Sequence, residues 1–191
     1  FLYVERISKL KLNTIITNIT SLGYVIPGAV IGLAVILLFT QFPLFNNHLL
    51  VGSFFVLIYA YVFRFLAVGK SPIKSSLDKQ PKAFEDTSKV LGVSSFKALR
   101  TIHLPLNKMA LVIAFIVTFI DLLKELPITL ILRPFNFDTL ATQTYEFAVE
   151  EMLKASSIYS LMIIVIGSVL LILLKYITNK QIHVFRSFKS N

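Results

Sequence analysis

PKAFEDTSKVLGVSSFKALRTIHLP, residues 81–105, is the one long polar stretch lying between hydrophobic runs in this chain. It reads as two short helices joined at a glycine. Pro81 suits a first helical turn, where its missing N–H costs nothing. Glu85 and Asp86 follow, where the helix dipole favours negative charge. Gly92 can take the left-handed geometry that ends a helix. Ser94 and Ser95 are candidate caps for the second helix. There Phe96, Leu99, Ile102 and Leu106 form an apolar stripe at helical spacing. Pro105 disfavours helix at Leu104 and predicts a bend. The stretch is either a solvated loop or a surface that docks on something.

What flanks it is apolar. Of the 191 residues 55% are hydrophobic, and the mean hydropathy is +0.76. Four runs, 22–40, 49–68, 106–132 and 158–176, each reach the roughly 20 residues that a hydrocarbon core of about 30 Å requires. The third is interrupted by charge and proline. Leu12, Ile15, Ile19 and Leu22 share a helical face behind Arg6, Lys9 and Lys11, the pattern of an interfacial amphipathic helix. The expected fold is all-α: a polytopic membrane protein with about four transmembrane helices and one polar helix–turn–helix. No internal repeat or second domain shows, so 1–191 is expected to be a single transmembrane domain. The first residue is Phe1, and no cleavable signal pattern follows, which suggests a fragment whose upstream part is missing.

The charges set an orientation. The net charge of +9 would suggest nucleic acid in a soluble protein, but here it is segregated by loop. The N-terminal segment carries Arg6, Lys9 and Lys11, and link 41–48 carries no Lys or Arg. Loop 69–105 and its exit hold Lys70, Lys74, Lys79, Lys82, Lys89, Lys97, Arg100 and Lys108. Link 133–157 sets Arg133 and Lys154 against Asp138, Glu146, Glu150 and Glu151. The tail is basic again, with Lys175, Lys180, Arg186 and Lys189. Basic and non-basic loops alternate, as the positive-inside rule requires. The N-terminal segment, loop 69–105 and the C-terminus are expected in the cytoplasm, with Lys82 and Lys180 inside and Asn46 and Glu150 outside.

Few residues could carry chemistry. Asp121, Lys124 and Glu125 lie within the third run, and Asp121 falls about 20 Å along a helix that starts near Asn107. Ionisable groups at such depth usually face a bundle interior or a water-filled path. Asp121 and Glu125 are i, i+4, and Lys124 can reach Asp121 at i, i+3. They form either a self-neutralising structural cluster or the lining of a translocation pathway. Pro127 should break the helix, and Pro27–Gly28 should kink the first run. Arg64 is expected to snorkel to the interface. His48, His103 and His183 have no metal-ligand partners by spacing and are expected on the surface; no metal site can be assigned. The absence of cysteine excludes disulfides and thiol chemistry. No G-x-x-x-x-G-K-[ST] occurs, so the chain does not hydrolyse ATP through a P-loop.

Two stretches carry a family resemblance. Glu85, Gly92 and Leu104-Pro105 are similar to the EAA motif of ABC importer permeases, departing from it at Asp86 and Thr87. The run from Asp121 through Lys124-Glu125-Leu126-Pro127 to Arg133-Pro134-Phe135-Asn136-Phe137-Asp138-Thr139-Leu140-Ala141 resembles ferric-iron permeases of that class, as does Gly23–Gly28. The resemblance extends from about Gly23 to the last span. It implies a type I importer-like helical bundle, similar to the C-terminal set of spans in proteins that carry two sets. It implies that Glu85, Gly92, Leu104 and Pro105 couple the permease to an ABC ATPase subunit. The implied partners are that ATPase, a substrate-binding protein, a second permease half or subunit, and membrane lipid, without nucleic acid. The location would be the plasma (inner) membrane, and the ATPase would supply hydrolysis with no resident cofactor here. Sulfate, a polyamine or thiamine are alternative cargoes. An intramembrane enzyme is a rival reading that would have only Asp121, Lys124 and Glu125 for its chemistry. A simple membrane anchor would not need buried ionisable residues at all.

Overall fold

The computed structural model describes residues 2–7, 11–41 and 51–189, and all regular structure among them is helical. The helices are α1 (Leu2–Ile7), α2 (Lys11–Val25), α3 (Gly28–Gln41), α4 (Phe54–Asp78), α5 (Ala83–Val90) and α6 (Ser95–Ala98). After a π-turn at Leu99–His103 come α7 (Leu104–Leu123), α8 (Pro127–Leu132), α9 (Leu140–Val149) and α10 (Leu153–Lys189). Among the described residues two helical stretches, Phe54–Asp78 and Leu153–Asn179, are long and apolar enough to cross a membrane, or up to 4 if each broken pair counts as one span. The link around Asn46, His48, the start of the 49–68 run, Lys9, and the side chains of Lys11, Lys180 and His183 lie outside what is described.

The chain divides into two compact units. The first comprises the described residues of Phe1–Ile26 and Phe63–Thr118. Here α2 runs antiparallel to α4, and α1 lies against the C-terminal end of α4. Lys70 Nζ donates to the Thr17 carbonyl and, at 2.9 Å, to Thr20 Oγ1, and Lys74 Nζ lies 3.4 Å from Glu5 Oε1. At the other end Gly23 passes so close to α4 that a Cβ would collide with the Phe63 carbonyl oxygen. Any larger residue would force the helices apart. The apolar run 49–68 understates α4, which continues to Asp78 through Pro72. Beyond Val68 the helix becomes amphipathic and is held by polar contacts to α1 and α2, so hydropathy alone loses it.

The second unit comprises Pro27–Val62 and Phe119–Asn191 over their described residues. Ile31, Val35 and Phe39 recur every fourth residue of α3 and are buried, as are Ile128, Thr129 and Leu132 of α8. Gly32 lets α3 approach α8, since a Cβ there would lie 3.1 Å from Ile131 side-chain atoms. Phe39 packs edge-on against Phe55 and Tyr59. α9 packs on α10, where Ser156 Oγ donates to the Thr144 carbonyl at 2.8 Å and Phe147 stacks on Tyr159. Link 133–157 is therefore not a plain connection. Thr139 and Thr142 form a capping box that starts α9, and Arg133 pairs with both Asp138 and Glu146.

The expected breaks are present, but in sharper form. Run 22–40 is two helices, α2 and α3, separated at Ile26–Pro27. Run 106–132 is α7 and α8, separated at Lys124–Leu126. Pro105 behaves differently from expectation. Leu104 keeps helical angles, φ −63 and ψ −48, and helix continues through the proline. The preceding π-turn supplies the reason, because its wider winding relieves the ring's clash with the upstream carbonyl. The bend comes just afterwards, where Ser95–Leu106 and Lys108–Leu123 meet at 70°.

Candidate functional site

The polar stretch folds as a helix–turn–helix. Its turn closes with both hydrogen bonds of a Schellman motif: Val93 N–H donates to the Ser88 carbonyl at 2.9 Å and Gly92 N–H to the Lys89 carbonyl at 3.0 Å. Gly92 sits at φ +67 with open space around its Cα. Glycine is required there by backbone angle, not by crowding. Of the two candidate serines, Ser94 is the cap, accepting from Lys97 N–H at 3.4 Å.

The stripe Phe96, Leu99, Ile102 and Leu106 is not the buried face: its two ends are exposed, and Leu99 and Ile102 are half-buried. Phe96 is 74% exposed and Leu106 52%, while Ala98, His103, Asn107 and Ala110 form the buried face. Small and polar residues fit the tight inner side, so Phe96 and Leu106 turn outward. Val90 and Leu91, 86% and 71% exposed, extend that apolar surface across the turn. Leu104 and Pro105 are also exposed.

Glu85 lies on the inner side and is only 7% exposed. Arg6 Nε donates to its Oε1 at 2.5 Å and Nη2 to its Oε2 at 3.3 Å, a two-pronged grip. The same guanidinium donates to the carbonyls of Leu77 and Gln80, the latter at 2.7 Å. One arginine thus joins α1, the end of α4 and α5. The basic partner of Glu85 therefore lies within the chain. His103 completes the node, contrary to its expected surface position. Its Nδ1 lies 3.1 Å from Gln80 Oε1, Tyr3 packs on its ring at 4.7 Å, and its Nε2 is 3.5 Å from Glu85 Oε1 without making a hydrogen bond. Burial holds the His103 pKa below its ordinary value; Glu85 opposes that shift and Arg6 adds to it. Burial also raises the Tyr3 pKa, with Glu85 adding to the rise and Arg6 opposing it. No sequence spacing marks His103 or Arg6, whose contacts are long-range.

The second candidate cluster divides. Asp121 and Lys124 form an i, i+3 ion pair at 2.9 Å, and the Lys124 side chain is 64% exposed. Asp121 lies on α7, which ends at Leu123, so Lys124 and Glu125 fall in the break that follows it. The expected i, i+4 face shared with Asp121 is therefore absent. Glu125 is 6% exposed and its Oε1 accepts from Ile128 N–H at 3.1 Å, supplying the acceptor that the start of α8 needs. Thr129 Oγ1 donates to the Glu125 carbonyl at 3.0 Å and lies 2.5 Å from Tyr61 Oη, which ties the break to α4. Arg64, expected to snorkel, donates to the Ile26 carbonyl at 3.0 Å, where α2 ends. No group of three or more His, Cys, Asp or Glu among the described residues could hold a metal ion.

Residues 2–183 match the family described as binding-protein-dependent transport system inner membrane component. The chain belongs to that family. It is 29% identical over 160 residues, 84% of its length, to the "Fe(3+)-transport system permease protein FbpB 2" of Haemophilus influenzae. It is 33% identical over 102 residues to the "Putative ferric transport system permease protein FbpB 1" of the same organism, and 30% identical over 102 residues to the "Ferric transport system permease protein FbpB" of Actinobacillus pleuropneumoniae. These matches cover 84%, 53% and 53% of this chain, and 31%, 16% and 14% of the respective relatives. The chain thus spans about a third of the first relative. Membership of an inner-membrane transport family agrees with the apolar helices, and it makes this chain a membrane-embedded transport component. The exposed turn at Val90–Phe96 and the buried Arg6–Glu85–His103 node lie within the residues that match the family.

Proposed function

We propose that this chain is the membrane-spanning part of an ABC importer that carries ferric iron received from an external binding protein. A separate ATPase would dock on residues 81–105 from the cytoplasm. The observation carrying this reading is the Gly92 turn, which presents Val90, Leu91 and Phe96 outward from a helix pair tied to the rest of its unit by Arg6. The family and the names of the relatives support the importer class and the iron cargo. Glu85 acts by fixing the docking segment, Gly92 by shaping its turn, and Leu104 and Pro105 by carrying motion through the π-turn into α7. Asp121 and Lys124 neutralise each other, and Glu125 braces the start of α8; pathway lining is a further role that only transport can reveal.

The test is reconstitution of the full permease with its ATPase and binding protein in vesicles. Ferric iron should raise ATP hydrolysis and accumulate in the vesicles, while sulfate, a polyamine and thiamine should not. Stimulation by one of those instead would overturn the cargo assignment. Sidedness is tested separately. The chain has no cysteine, so Lys82→Cys can be probed with an impermeant thiol reagent. Labelling from outside intact cells would reverse the topology.

A further inference from the structure

A cleft of about 600 Å³ opens in the first unit and is lined by Ser21, Lys70, Ser71, Lys74, Ser75 and Lys79, with Ala67 and Asp78. We infer that it binds the phosphodiester headgroup of an anionic phospholipid. The chemistry of the lining points there. Lys70, Lys74 and Lys79 line the cleft together with Ser71 and Ser75, ammonium and hydroxyl donors of the kind a phosphate oxygen takes, while the Ser21 hydroxyl already donates to the Thr17 carbonyl. Lys70 is oriented by Thr17 and Thr20, and Lys74 by Glu5 at 3.4 Å. Lys79 has no ion pair among the described residues. Against the three lysines stand one lining carboxylate, Asp78, and Glu5 behind Lys74, so the cleft keeps a positive balance.

The same two helices supply a place for acyl chains. From Ser21, α2 continues to Leu22 and Val25, 54% and 79% exposed. From Ala67, α4 runs back in the same direction to Leu66 and Phe63, 43% and 38% exposed. The α2–α4 pair is therefore basic and hydroxylic at one end and apolar at the other. That polarity suits an amphiphile, and free phosphate would use only half of it. Basic pockets beside membrane helices at the cytoplasmic face are where anionic headgroups are held. The inference rests on the topology proposed above only for the choice of leaflet, since binding in detergent has no sides.

The experiment is native mass spectrometry of the intact permease complex in detergent. It would be titrated with phosphatidylglycerol, with phosphatidylcholine of the same chains, and with inorganic phosphate. Phosphatidylglycerol should be retained preferentially, and Lys79→Gln together with Lys74→Gln should weaken it about fivefold per lysine. Ser75→Asp adds negative charge to the cleft without touching an ion pair and should abolish the preference, which covers the case in which loss of Lys74 unfolds the segment. Equal retention of the two lipids, or an unchanged preference in Ser75→Asp, would overturn the site. Displacement of the lipid by inorganic phosphate at low concentration would make it a free-anion site and overturn the lipid assignment. Outside labelling of Lys82→Cys with lipid binding intact would move the site to the other leaflet and leave it standing.

Discussion

Glu85 and Glu125 are almost equally buried, at 7% and 6% exposure, yet the contacts seen for them differ in reach. Glu85 faces a guanidinium that lies 79 residues away in sequence. Glu125 faces a backbone amide three residues away. A buried carboxylate paired with a charge is strongly coupled to that charge, and removing either partner strands the other. A carboxylate serving as a helix acceptor needs only an oxygen in the right place. The contacts named for the two differ in reach, one to a distant charge and one to a local amide, and substitutions can test what each contributes.

The largest effect is expected at the long-range pair. Arg6→Ala leaves the Glu85 carboxylate buried without its guanidinium, at a cost of about 3–5 kcal/mol to the α1–α5 node. The permease should insert in the membrane but lose ATPase stimulation, and Arg6→Glu combined with Glu85→Arg should restore part of it. Stimulation unchanged in Arg6→Ala would mean that the node does not position the docking segment.

Gly92→Ala comes next. It forces a side chain into left-handed geometry, at about 1–2 kcal/mol. The site is open, so the loss should be one of turn shape, seen as weaker ATPase binding with normal abundance. An equally tight complex would show that the turn tolerates alanine.

Acid should act on the same node. Because the folded His103 pKa lies below its ordinary value of 6.5, the unfolded chain binds the proton more readily. Stability is therefore complete above that value and declines as pH falls through it towards the folded pKa. Thermal stability followed by size exclusion between about pH 8 and pH 5 should show this decline, and His103→Gln should flatten it. An identical decline in the variant would move the proton elsewhere.

The smallest effect is expected at Glu125→Gln, which keeps an acceptor for Ile128 N–H and should change stability by less than about 1 kcal/mol. Iron uptake near the unmodified level would confine Glu125 to the helix break. Uptake lost without loss of stability would give it a place in the pathway and end the contrast with Glu85.

Local chemistry was legible in the sequence where the structure answers to local rules. Gly92, Ser94 and Pro127 act within a turn of their own positions, and each ends or begins a helix where its backbone preference dictates. Asp121–Lys124 follows from helical spacing alone. What escaped notice depends on distant partners. Arg6 read as one of the basic residues preceding an amphipathic helix, and His103 as a surface residue, because neither spacing nor hydropathy encodes a contact between α1 and α5. The Phe96 stripe was legible as a stripe but not in its direction, since an apolar helical face can meet either a core or a partner. The end of α4 vanished for a related reason: polar contacts to α1 and α2 sustain helix after the apolar run ends.

The tie between Arg6 and Glu85 also has a meaning in time. A ribosome adds roughly 5–20 residues per second, so the 79 residues between these partners separate their appearance by about 4–16 s. Throughout that interval Arg6 exists without its carboxylate, while α2, α3 and α4 are synthesised in turn. The N-terminal helix can be fastened only after α4 has emerged. The helix–turn–helix at residues 81–105 is therefore fixed to the rest of its unit late, after α2, α3 and α4 have been made.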